Sequence, residues 1–123
     1  MKKIEAIIRK TKFDDVKEAL MAVDIEWFSY SEVKGVGKDR EERIYRGIVY
    51  DTSYIERYLL SIIVRDINVE KAVQAIEKAA HTGEIGDGRI FIFPAEDAIS
   101  IRTGKRGDAT LFISNDKNNQ LKN

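Results

Sequence analysis

Residues 59–80 read LLSIIVRDINVEKAVQAIEKAA, an apolar, β-branched run followed by a change of hydrophobic period. Leu59 to Arg65 fits a buried strand. Asn68 stands where a helix N-cap belongs, and Val69, Ala72, Val73 and Ile76 then recur at i, i+3, i+4 and i+7, which predicts a helix closing near Ala80. The same alternation appears upstream. Residues 3–9 (KIEAIIR) predict a strand, and Val16, Ala19, Leu20 and Val23 predict a helix over 13–23, with Thr11 and Asp14 at capping-box spacing.

Two further strands complete the pattern. Trp27 to Val36 is aromatic and β-branched and runs into Gly35 and Gly37, Arg89 to Phe93 follows a glycine loop, and Ile99 to Arg102 suggests a last short extended piece. Two β-α-β units in series predict an α+β, ferredoxin-like split βαβ fold (βαββαβ). It has an antiparallel sheet, both helices on one face, and a long loop between strands 2 and 3. That loop, about 37–54, carries four positive and three negative charges within 38–46. The domain is expected to span 1–112. The polar, Asn-rich 113–123 reads as a disordered tail or linker.

Composition narrows the function classes. The 123 residues hold 21 basic and 21 acidic side chains, so no net field draws the chain to nucleic acid or an anionic membrane. No cysteine is present, which removes thiolate zinc sites, thiol nucleophiles and disulfides, and fits a reducing cytoplasmic compartment. His81 is the one histidine, so imidazole-based metal sites are disfavoured. The apolar run from Leu59 to Val64 is far short of the ~20 residues needed to cross a bilayer, and the N-terminal patch, broken by Glu5, is no signal-peptide core.

The eight glycines fall only within 35–47 and 83–107. Thr82-Gly83-Glu84-Ile85-Gly86-Asp87-Gly88-Arg89 sets three glycines beside a basic side chain, a pattern whose amides can converge on phosphate oxygens. The alternative is a flexible connection with Gly83 as the helix C-cap. Arg102, Lys105 and Arg106 around Gly104 form a second basic loop, which is either a solvated turn or a clamp for an anion held by the first. The carboxylates Asp14, Asp15, Glu18, Glu41 and Glu42 lie on expected solvent faces and do not suggest acid–base catalysis. Tyr45, Tyr50, Tyr54 and Tyr58 could anchor an interface or pack on the domain itself, and packing is favoured for Tyr58.

The glycine loop 82–91, Ile101-Arg-Thr-Gly104, Ser31-Glu-Val-Lys-Gly-Val-Gly37 and Tyr45-Arg-Gly-Ile-Val-Tyr50 together resemble the PII nitrogen-regulatory signal-transduction family, from Met1 to about Phe112. The resemblance implies a homotrimer with adenine-nucleotide sites in the clefts between subunits: ATP or ADP, with AMP a further candidate. It implies a loop at 37–54 that docks on an ammonium transporter or a nitrogen-metabolism enzyme, and no catalytic residues. By the same resemblance Gly86, Asp87, Gly88 and Arg89 hold phosphates, and Arg102 clamps them from the neighbouring subunit. Gly35, Gly37 and Lys38 lie at the loop base, Ile7 and Ile63 line the adenine pocket, and Tyr50 aligns with a residue that some members modify by uridylylation. Departures are equally specific. Lys38-Asp39 replaces an Arg-Gln pair whose glutamine helps hold magnesium and 2-oxoglutarate; Asp39 suits Mg2+ but repels the oxoacid. Arg57 stands near the lysine that pairs with the oxoacid, and Ser100 replaces a phosphate-contacting arginine. Two alternatives remain: a constitutive interaction module with a degenerate nucleotide site, and a phosphoryl-transfer enzyme using His81 as nucleophile.

Overall fold

The computed structural model describes residues 1–36, 43–45, 48–50 and 54–111. Its elements are β1 (Lys2–Arg9), α1 (Phe13–Ala22), β2 (Ser29–Val36), β3 (Arg43–Tyr45), β4 (Ile48–Tyr50), β5 (Tyr54–Val64), α2 (Val69–Ala80) and β6 (Arg89–Pro94). The main sheet is antiparallel in the order β2-β5-β1-β6, and β3 pairs only with β4. This is the expected ferredoxin-like arrangement, with a small hairpin lying inside the long excursion.

Period-two alternation in β1 sorts the residues between two faces. Ile4, Ala6 and Ile8 are buried in one cluster with Leu60, Ile62 and Val64 of β5, Val16 and Leu20 of α1, and Ala72, Ile76 and Ala80 of α2. Both helices therefore cover the same face. Glu5, Ile7 and Arg9 point to the opposite, open face. There β1–β5 and β1–β6 pairing aligns Ile7 with Leu59 and Arg89, Arg9 with Arg57, and Lys3 with Ile63 and Phe93. An aromatic cluster closes the outer end of the core: the Phe13 ring centroid lies 4.6 Å from that of Tyr30 and 4.9 Å from that of Tyr58. Tyr58 packs on its own domain, as expected.

The helix ends differ from the sequence expectations in informative ways. The predicted capping box at Thr11 does not form, because 10–12 make a 3-10 turn that feeds directly into α1, with Lys12 at the N-cap and no side-chain cap. Asn68 does occupy the N-cap of α2, also without a side-chain bond, after a second 3-10 turn over 66–68. In both cases the preceding turn sets the entry direction instead of a side-chain oxygen. At the end of α1, Ile25 N–H donates to Leu20 O and Asp24 N–H to Met21 O, a Schellman closure in which Asp24 takes the left-handed conformation (φ 65°) usually given to glycine. Gly83 is not the C-cap of α2; extended His81 is, and Gly83 lies two residues beyond. The piece expected as a strand at 99–102 is a turn. Ile99 makes a single bridge to Arg106, and Gly104 N–H donates to Ser100 O.

Ile76, fully buried beneath α2, is expected to cost about 2–5 kcal/mol of stability when changed to Ala. Asp24→Gly should instead stabilise by up to about 1 kcal/mol by relieving the left-handed backbone. Urea unfolding of the two variants tests both signs.

Candidate functional site

Strand β1 ends, β6 begins and the long excursion leaves β2 at one end of the open face. Ile7 is paired with Arg89, Arg9 with Arg57, Arg57 with Val33, and Gly35 with Ile55, so these positions form successive rows toward the excursion. The 82–88 loop enters the sheet at this same end. A Cβ built on Gly88 would lie 1.8 Å from the Ile7 carbonyl oxygen, and Gly88 has φ 105°, so glycine is required there by contact and by conformation alike. A Cβ on Gly86 would approach the Arg57 Nη2 to 3.0 Å and the Arg9 Nη2 to 3.3 Å. The loop backbone thus lies directly against two guanidinium groups. Among the described residues, a Cβ at Gly35 would meet nothing within 4 Å.

Asp87 organises the loop. Its carboxylate accepts hydrogen bonds from the backbone N–H groups of Thr82 and Gly83 (2.9 Å each), from the Thr82 hydroxyl, and from Arg9 Nε at 3.3 Å. The Thr82 hydroxyl and amide, followed by the Gly83 amide and Arg9, hold the Asp87 carboxyl well below the usual carboxylate range. The Thr82 and Gly83 amides are therefore committed to Asp87. Arg57 has its guanidinium pKa lowered, first by burial and then by Arg9, with Asp87 partly opposing both. His81 Nδ1 is 3.8 Å from Asp87 and its side chain is 69% exposed. Ile7, Gly88 and Arg89 also border a cleft of about 360 Å³ that runs beneath the C-terminal half of α2 past Val73, Ile76 and His81.

On the opposite side of the sheet, Lys10 ties the stem of the excursion together. Its ammonium bonds Glu56 of β5 at 3.0 Å and Glu32 of β2, and sits 5.4 Å from the Tyr58 ring centroid. Those carboxylates hold the Lys10 pKa above its ordinary value, and Lys10 in turn lowers that of Glu56.

Other sequence-predicted residues fall elsewhere. Ile63 shares the open face with Ile7 but lies two rows away, opposite Lys3, and is 37% exposed. Arg102 follows β6, which has carried the chain to the far end of the sheet, where Pro94 pairs with Lys2. Beyond Pro94 the chain enters a turn held by the Ile99–Arg106 bridge and the Gly104 N–H to Ser100 O bond, and no hydrogen bond among the described residues ties Arg102 to its own glycine loop. Arg106 is spent internally, donating from Nη1 to Asp97 at 2.9 Å, while Asp97 also accepts from the Ala98 and Gly107 amides. Gly37, Lys38 and Asp39 lie outside the described residues, as do the side chain of Tyr50 and the 113–123 tail. Arg9 and Lys10 escaped the sequence reading. Their only signal is position at the end of a strand, since their partners are 22 or more residues away in the chain.

Among the described residues no cluster of three or more His, Cys, Asp or Glu could hold a metal ion, and no helix is long and apolar enough to cross a membrane.

Two substitutions test this geometry. Gly88→Ala should displace the 82–89 loop from β1, seen as new amide shifts across it, whereas Gly35→Ala should leave the fold unchanged. Because the folded-state pKa of Asp87 is depressed, its latch is at full strength above the ordinary aspartate value near 3.9. It weakens only as pH falls below that value toward the folded-state pKa. Protection of the Thr82 and Gly83 amides from hydrogen exchange should accordingly persist at pH 4.

Comparison with known proteins places the arrangement in context. Residues 1–105 match the family model described as nitrogen regulatory protein P-II. The chain is 45% identical over 108 residues to the nitrogen regulatory protein P-II of Azospirillum brasilense, covering 87% of this chain and 96% of that protein. It is 47% identical over 109 residues to that of Cereibacter sphaeroides, covering 88% and 97%. The protein of the same name from Klebsiella oxytoca is 43% identical over 112 residues, covering 90% and 100%. These relatives are named as regulatory proteins. With the family model spanning most of the chain and the glycine loop seated against β1, the chain belongs to the nitrogen regulatory protein P-II family.

Proposed function

We propose that this nitrogen signal-transduction regulator binds an adenine nucleotide (ATP or ADP, with AMP a weaker candidate) at clefts between subunits, and that occupancy sets the state of the 37–54 excursion. The carrying observation is the convergence of Gly86, Gly88, Arg89, Arg57 and Gly35 at the sheet end from which that excursion departs. Phosphate would meet the Gly86–Arg89 backbone and the Arg89 and Arg57 guanidiniums, where charge-assisted bonds favour an anion.

A single chain supplies only part of such a site. Ile7 and the glycine loop lie at one end of the open face and Ile63 toward the other, where β6 ends at Pro94 ahead of the Arg102 turn. A head-to-tail neighbour could bring its Arg102 end onto the first chain's loop, and such heterologous contacts close into rings. A homotrimer fits this geometry. Phe91 and Phe93, each 43% exposed on the open face, would supply apolar contact area.

The mechanism is a population shift. A nucleotide that reaches the loop base at Gly35, Gly37 and Lys38 in one state of the excursion favours that state by its differential affinity, with no covalent step. The excursion would then engage, from the cytoplasmic side, an ammonium transporter or a nitrogen-metabolism enzyme. Asp39 could ligate Mg2+ alongside the phosphates; the same carboxylate disfavours 2-oxoglutarate, and Arg57 alone would then pair with the oxoacid. Replacement of a phosphate-contacting arginine by Ser100 should narrow the preference for ATP over ADP.

Calorimetric titration with ATP, ADP and AMP, with and without Mg2+ and 2-oxoglutarate, tests the binding. No heat at millimolar nucleotide would overturn it. The shared site has its own test in mixed assemblies. Arg89→Ala and Arg102→Ala should each weaken ATP binding by ten-fold or more, and co-assembly of the two variants should restore a fraction of intact sites. Independent sites within each chain would show no such recovery.

A further inference from the structure

We infer that Arg9 is a positioning residue for the nucleotide phosphates: it neutralises and orients Asp87 so that Arg57 and Arg89 are left to meet the anion. The inference rests on the nucleotide site proposed above and names a residue that does not itself touch the ligand. Arg9 closes β1 on the open face, and its planar guanidinium reaches two points of the glycine loop at once. Nε donates to Asp87 Oδ1 at 3.3 Å, and Nη2 donates to the Ile85 carbonyl at 3.0 Å. These acceptors flank Gly86, so the fork fixes the loop on both sides of the residue whose backbone faces Arg57.

Charge explains why a cation is needed there. Asp87 is a carboxylate set beside Gly86 and Gly88 in a loop proposed to hold phosphate, and its other hydrogen-bond donors, the Thr82 and Gly83 amides and the Thr82 hydroxyl, are neutral. Without Arg9, Asp87 would lose its hydrogen-bonded cation and draw instead on Arg57, so its charge would oppose each added phosphate. Arg57 aligns with Arg9 across the β1–β5 pair, and its guanidinium makes no hydrogen bond among the described residues. The two guanidiniums thus divide the work, one committed to Asp87 and the other held in reserve beside it. Lysine at position 9 would preserve the charge but could not fork, because an ammonium is a point charge without the planar pair of donors.

The test titrates the full chain with ATP, AMP and inorganic tripolyphosphate, comparing wild type with Arg9→Lys and Arg9→Met at matched thermal stability. The expected result for Arg9→Met is a ten-fold or greater loss of ATP and tripolyphosphate affinity with at most a two- to three-fold loss for AMP. Arg9→Lys should fall between, and the deficit of Arg9→Met should shrink as salt is raised. An equal loss for all three ligands, or no loss in either variant, would overturn the inference and reduce Arg9 to a fold contact. Should wild type bind tripolyphosphate but not ATP, the adenine-nucleotide proposal fails while the Arg9 dependence can still be read. Should it bind neither, both fall.

Discussion

The alternation of β1 governs everything placed around it. Ile4, Ala6 and Ile8 face the helices and are nearly inaccessible, whereas Glu5, Ile7 and Arg9 are turned to the open face. A one-residue slip would exchange these sets, burying Arg9 among aliphatic side chains and exposing the core residues. Because β1 lies between β5 and β6, the same alternation aligns Arg9 with Arg57 on one side and Ile7 with Arg89 on the other. The hydrophobic core and the polar cluster are therefore two consequences of one register.

Placement of the glycine loop depends on that strand as well. Gly88 passes so close to the Ile7 carbonyl that no side chain fits between them, and Asp87 then gathers Thr82, Gly83 and Arg9. Glycine here serves close approach rather than flexibility. A loop of this composition could be floppy, but its carboxylate and the arginine fork give it a defined shape, the condition for recognising an anion without a large ordering cost.

Arg9 and Lys10 extend the same principle across the sheet. Adjacent in sequence, they emerge on opposite faces, Arg9 toward the glycine loop and Lys10 toward Glu32 and Glu56 at the stem of the excursion. The loop proposed to hold phosphate and the stem of the arm proposed to respond are thereby tied to one dipeptide. Surface ion pairs of this kind add little to global stability; their effect is to hold local geometry.

Much of this was legible in the residues themselves. The period-two and period-3.6 patterns of 3–9, 13–23, 59–65 and 69–80 are local consequences of which side chains face an apolar core, so strand and helix identity, their order and the self-packing of Tyr58 followed from them. The glycine loop announced itself by composition. Helix ends were less readable, because 3-10 turns at 10–12 and 66–68 replaced side-chain caps and Asp24 took a glycine's place. What only the tertiary structure decided was pairing at a distance. It committed Asp87 to its own loop, drew Arg106 to Asp97, brought Arg9 against residues more than 70 positions away, and set Ile63 two rows along the sheet from Ile7. Periodicity records only whether a side chain faces the core, whereas charged partners on an exposed face are chosen by strand order and register, which no local window contains.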